Sequence, residues 1–166
     1  MNFLVNLKEF RNNLFKKENI FFLLLVVIIF FLDRLSKLQI INKFNEVSYY
    51  VNNYINFDLV WNIGIGFGFL SSTSSIIYNL ISTIIAFVIL ILFYIFLNSE
   101  NLDKFIYSII IGGALGNFYD RIIYKAVPDF IDLHYNNFHW FTFNVADIFI
   151  SLGILIYIIR SFFVKI

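Results

Sequence analysis

Asp147 stands in the segment FNVAD, inside the apolar stretch from Trp140 to Phe163, where it is the one charge of the first half. Read as a helix starting near Trp140, that stretch places the carboxylate about 10 Å below the helix end, at the usual rise per residue. A lone carboxylate at such a depth stays neutral or needs a partner. Asn144 lies three residues earlier, on the same helical face. Asp129, in VPDFID with Asp132 three residues on, follows the chain's single proline, Pro128, which stiffens the backbone before it. A loop aspartate is ordinarily solvated and unremarkable. If Asp129 folds down to the level of Asp147, however, the two carboxylates can share one proton. One is then a base toward water, while the other, protonated, polarises a carbonyl. That is the chemistry of an aspartic protease.

The remaining polar groups have plainer readings beside any functional one. Asp33 and Lys37 are i and i+4 on one helix and can pair. Lys37 lies about 25 Å along from Ile20, near an interface, so a structural ion pair with an outward-reaching lysine suffices. Gly112 and Gly116 in GGALGN form a GxxxG pattern, which serves helix packing and says nothing of catalysis. Asn117, Asp120 and Arg121 follow directly and read, on their own, as a satisfied helix end with an Asp–Arg pair. His134 and His139 leave a metal site of Asp and His conceivable, but their flanks are aromatic. With no Cys, thiolate nucleophiles, disulfides and Cys-based metal sites are excluded. No HExxH, GxSxG, P-loop or GxGxxG pattern is present, and no Ser stands out for a Ser–Lys dyad.

The elements that must position these residues are membrane helices. The chain is 60% hydrophobic and only 14% charged, and a water-soluble fold of this size could not hide so much apolar side chain. A bilayer supplies the missing environment. The spacing predicts four spans, at about 20–41, 74–97, 104–120 and 140–163, in an all-α membrane protein forming one domain over 1–166. The first begins as a signal peptide would, but Asp33-Arg34 follows the apolar run in place of a cleavage site, so it reads as an uncleaved span. Lys8, Arg11, Lys16, Lys17, Lys104, Arg160 and Lys165 fall on one side and Lys43, Arg121 and Lys125 on the other. That asymmetry puts both termini in the cytoplasm and the loops 42–73 and 121–139 outside. Within the first outer loop, VNNYINFDLVWN predicts a small β-sheet on the membrane surface, with Tyr49, Tyr50, Tyr54, Phe57 and Trp61 at headgroup level. The net charge of +1 gives no reason to expect a nucleic-acid partner.

Taken in order, DRLSK at 33–37, WNIGIGFG at 61–68, GGALGNFYDR at 112–121, VPDFID at 127–132 and FNVADIFISLG at 143–153 resemble the lipoprotein signal peptidase (signal peptidase II) family. No one of these segments is decisive; the set in register, across nearly the whole chain, is specific. The resemblance implies a four-helix protein of the bacterial cytoplasmic (inner) membrane, with its active site near the outer face. It implies an aspartic endopeptidase that cuts prolipoproteins before the diacylglyceryl-modified lipobox Cys. The family's catalytic pair falls on Asp129 and Asp147. Asn62, Asn117, Arg121 and Asn144 match polar positions that line or brace the site, Asp120 matches a supporting position, and Asp33 a structural one. No metal or cofactor is implied, the partners are prolipoproteins and membrane phospholipids, and the expected working form is a monomer. Pro128 stands where the family often has Val, and Gly66 where Ala is common; neither removes a functional group.

Two other classes of function fit the composition. A non-enzymatic membrane scaffold or transporter subunit would use Asp33, Asp120 and Asp147 as interhelical glue or a proton path. It predicts altered assembly or transport in Asp→Asn variants, with no proteolysis to lose. A metal-dependent lipid phosphotransferase would be silenced by a chelator. Neither accounts for the five segments in register.

Overall fold

Four long helices and one antiparallel sheet make up the computed structural model, which describes residues 13–43, 48–64, 75–136 and 138–163. Helix α1 (Lys17–Lys43) follows from the uninterrupted apolar run after Asn19, with Glu18 in its first turn and Lys43 in its last, each the sign its end favours. Helix α2 (Ser75–Asn98) holds no charge. Helix α3 (Asn101–Tyr124) ends where Lys125 turns left-handed, at φ 57°. Helix α4 (Val145–Phe163) is the last element among the described residues. By length and composition α1, α2 and α4 are apolar enough to cross a membrane. Their outward faces are apolar too, with Phe21, Phe31, Phe87, Leu90 and Leu155 all exposed. Lipid, in place of water, makes such a surface stable.

Helix α3 is built the other way round. It packs against all three other helices and buries Ile106, Ile109, Ile110 and Ile111 together with Gly112, Gly113 and Gly116. The glycines let backbones approach. A Cβ on Gly112 would sit 2.8 Å from Cβ of Ile29, and one on Gly116 would fall on the carboxylate of Asp33. The packing predicted for the GxxxG pair is therefore present, but at Gly116 the neighbour is a charged group and not a hydrocarbon.

The sheet is larger than the first outer loop alone predicts. Strands β1 (Tyr49–Asn52) and β2 (Ile55–Asn62) come from that loop, and β3 (Val127–Tyr135) and β4 (Phe138–Phe143) from the second. They pair in the order β1-β2-β3-β4, all antiparallel, with Trp61 opposite Pro128 and Asn62 opposite Val127. The β3–β4 hairpin turns at Asn136, whose φ of 52° is one that Asn tolerates. Two expectations are corrected here. Asp129 lies on a strand, not in a loop. Residues 138–143 are strand too, so α4 starts at Val145 instead of near Trp140. Tyr50, Tyr54, Trp61, Tyr135, Phe138 and Trp140 are exposed on the sheet, as residues of a headgroup layer would be. The N-terminal tail and most of the segment after Gly64, including Gly66, lie outside the described residues.

Candidate active site

The site grows from the start of α4. Asn144 is its N-cap: Oδ1 accepts the Asp147 N–H at 3.0 Å, and the Asn144 N–H donates back to Asp147 Oδ2 at 3.2 Å. This reciprocal pattern is a capping box written with Asn and Asp. It settles where Asp147 sits. The carboxylate lies in the first turn of α4 and is partly exposed, so the depth of about 10 Å expected for a helix starting near Trp140 is replaced by a place at the helix mouth. The next orphan donor, the Ala146 N–H, goes to Asp33 Oδ1 at 2.9 Å, so an aspartate on α1 completes the cap of α4.

Asp129 reaches the same point from β3. Its Oδ1 accepts from Asn144 Nδ2 at 2.6 Å, and its Oδ2 from Asn62 Nδ2 at 2.8 Å at the end of β2. The Gly64 N–H holds the other end of the Asn62 amide at 2.8 Å. Arg121 in turn donates to the Gly64 carbonyl and lies 5.7 Å from the centre of the Tyr78 ring. Asp147 Oδ1 accepts from Asn117 Nδ2 at 2.8 Å. Asn144 thus bridges the two carboxylates, one by its side chain and the other by its backbone. Burial, and then the neighbouring Asp147 charge, push Asp129 up from the ordinary 3.8 to about 7, against the opposing pull of the Asn62 and Asn144 hydrogen bonds.

Behind this pair lies a cluster of full charges. Lys37 Nζ is 2.7 Å from Asp33 Oδ2, 2.7 Å from Asp120 Oδ2 and 2.8 Å from Asn117 Oδ1. Arg34 pairs with Asp120, donates to the Tyr124 hydroxyl at 3.3 Å and stands 4.6 Å from the centre of the Tyr119 ring. The expected Asp33–Lys37 pair is present. The Asp120–Arg121 pair is not, because neighbours on a helix point about 100° apart: Asp120 turns to α1 and Arg121 to Gly64. Asp33, Lys37 and Asp120 are wholly buried, and Arg34 nearly so.

Sequence reasoning passed over Arg34. The signal was available, since an arginine beside Asp33 in an apolar helix needs its own acceptor. It also passed over the backbone contributions of Ala146 and Gly64. His134 and His139 stack with ring centres 5.4 Å apart, and His139 Nδ1 is 2.7 Å from Asp132 Oδ2. Among the described residues no group of three His, Asp or Glu side chains is disposed to hold a metal ion.

Comparison with known proteins agrees with this architecture. Residues 25–163 match the family described as signal peptidase (SPase) II. A lipoprotein signal peptidase of Pelagibacter ubique is 42% identical over 162 residues, covering 96% of this chain and 92% of its own. The lipoprotein signal peptidase of Francisella tularensis subsp. novicida is 39% identical over 119 residues, 69% of this chain and 74% of its own. Among solved structures, one bacterial membrane enzyme determined in meso at 1.9 Å resolution aligns with a TM-score of 0.71 and 27% identity, over 84% of this chain and 90% of that one. A second, determined at 2.3 Å, gives 0.69 and 28%, over 84% and 85%.

Proposed function

The chain belongs to the signal peptidase II family, and from that premise we propose that it is an aspartic endopeptidase of the bacterial inner membrane, removing signal peptides from prolipoproteins before the diacylglyceryl-modified Cys. One observation carries the aspartic reading: Asp129 and Asp147 share Asn144 as a bridging donor and otherwise receive only neutral amides. Two close carboxylates without a direct cation cannot both ionise cheaply, so the pair holds one proton.

The proton rests on Asp129, pushed up to about 7. Asp147, at a helix N-terminus where negative charge is favoured, is the base. Asp147 takes a proton from water, and the oxygen attacks the scissile carbonyl carbon as Asp129 donates its proton toward the carbonyl oxygen. Collapse of the tetrahedral intermediate expels the amine of the lipid-modified Cys, which receives the proton held by Asp147, while Asp129 takes back a proton from the intermediate's hydroxyl as the new carboxyl group forms. The mouth of α4 is the right height for this reaction, because the lipid chains of the substrate keep its Cys near the membrane surface. Asn62, Asn117 and Asn144 hold the carboxylates, Arg121 braces Asn62 through Gly64, and Asp120 supports from behind.

The reading includes α3 as a fourth span. Its 24 residues extend about 36 Å, and packing on three neighbours removes its charges from lipid. It also includes a single peptidase domain over 1–166, acting as a monomer, with both termini in the cytoplasm. Single Cys residues introduced at positions 10 and 52 report that orientation in intact spheroplasts: an impermeant thiol reagent is expected to label 52 and spare 10. The activity itself is tested by incubating the purified protein in detergent with a diacylglyceryl-modified prolipoprotein and locating the cut by mass spectrometry. Cleavage directly before the modified Cys is expected; an intact substrate refutes the assignment.

A further inference from the structure

Lys37 is wholly buried, and the proteolytic steps do not use its charge. Its ammonium meets three acceptors: Asp33 Oδ2, Asp120 Oδ2 and Asn117 Oδ1. The third contact differs in kind. A carboxylate presents the same acceptor either way round, but an amide has an acceptor end and a donor end. An ammonium has no acceptor, so it can hold only the oxygen of Asn117, which leaves Nδ2 facing Asp147 Oδ1 at 2.8 Å. Turned over, the amide would set its oxygen against one carboxylate and its N–H groups against the ammonium. Asp33 and Asp120 fix the ammonium from the other side, so it cannot follow such a turn.

We propose that Lys37 is a positioning residue for the proteolysis, acting through Asn117 to keep an N–H donor on Asp147. The inference rests on the dyad reading above. The same construction recurs at the other two asparagines. Asn62 has its oxygen held by the Gly64 N–H and Asn144 by the Asp147 N–H, and both deliver Nδ2 to Asp129. Of the three, Asn117 alone is oriented by a side chain, which makes it the one that substitution can release.

The test pairs Lys37→Met with Asp33→Asn, so that no carboxylate is left without its cation. Single-turnover cleavage by the folded double variant is expected to fall by about 10- to 100-fold, the worth of one charge-assisted hydrogen bond. The Lys37 charge also lowers the pKa of Asp129, the member of the pair that works protonated, so the alkaline limb of the rate profile is expected to move to higher pH. Adding Asn117→Leu should then cost little more, although on its own it should cost a similar factor. A lysine with a merely structural role gives the opposite pattern: an unchanged rate per folded molecule, an unmoved pH profile, and an Asn117→Leu effect that multiplies in full. That pattern overturns the inference. If the double variant does not fold, Asn117→Leu leaves both ion pairs of Lys37 in place, and cleavage by it at the wild-type rate overturns the inference equally. Asp129→Asn, run alongside, separates the two levels. If it still cleaves, the dyad reading falls and this inference with it; if it is inactive while the Lys37 and Asn117 effects multiply, only this inference falls.

Discussion

Two buried polar clusters meet at Asn117, and they are built on opposite principles. In the rear cluster Asp33 and Asp120 are matched by Arg34 and Lys37, so each carboxylate lies against a full positive charge. In the front cluster Asp129 and Asp147 receive amide and backbone donors only. A carboxylate paired with a cation has its counter-charge at hand. One held by neutral donors beside a second carboxylate has none, and on the proposed reading the pair keeps a proton that it can give away. On the proposed reading, neighbours, and not depth or residue type, separate the aspartates assigned to support from those assigned to catalysis.

Four substitutions sharpen or break that contrast, and the largest effect is on chemistry. Asp129→Asn and Asp147→Asn are each expected to lower single-turnover cleavage by about 10²- to 10⁴-fold or more, with the double variant little worse than either, because the pair acts as a unit. Multiplying losses would mean that the two aspartates work independently.

Next come the rear charges. Asp120→Ala leaves Lys37 and Arg34 short of an acceptor in a buried site and is expected to cost about 3–5 kcal/mol of stability. The fraction that still folds should cleave within a few-fold of wild type. Thermal unfolding in detergent, set beside the rate per folded molecule, checks both halves.

The third effect separates the clusters by pH. The carboxyl of Asp129 sits at about 7 in the fold against 3.8 for a free one, so between those values the folded state binds the extra proton. Stability contributed by this group is therefore full below about pH 4 and is lost as pH rises through 7, by a few kcal/mol. Wild-type unfolding followed from pH 5 to pH 8 is expected to show that loss, and Asp129→Asn to lack it. An equal pH dependence in both proteins would place the titration elsewhere.

Smallest is Gly116→Ala. Its Cβ would fall on the Asp33 carboxylate, an overpacking expected to cost about 1–3 kcal/mol. It should lower the melting temperature before it touches the rate; activity lost at unchanged stability would put Gly116 in the path of the substrate.

Some of this was legible in the residues. The apolar runs of α1 and α2 announce themselves, and the i, i+4 spacing of Asp33 and Lys37 shows their pair. Asp147 stands out because it is an acid in an apolar run; Asp129, unremarkable as a loop acid, is singled out by the family resemblance. The second outer loop was not legible as sheet. From Val127 to His134 β3 is buried or half-buried on both faces, so it shows no alternation, and the exposed aromatic run of β4 merges with the apolar run of α4. Misreading that boundary put Asp147 too deep. The partners of Asp120 were hidden for another reason: Arg34 is 86 residues away, and sequence spacing carries no information about a contact of that range.

The claim that Asp129, and not Asp120, works with Asp147 is tested most directly by single-turnover cleavage of a diacylglyceryl-modified prolipoprotein by purified, folded Asp120→Asn, Asp129→Asn and Asp147→Asn variants. Asp129→Asn and Asp147→Asn are expected to be inactive, and Asp120→Asn to retain cleavage wherever it folds. A folded but inactive Asp120→Asn protein beside an Asp129→Asn protein cleaving near the wild-type rate would contradict the account and move the catalytic pair to Asp120 and Asp147.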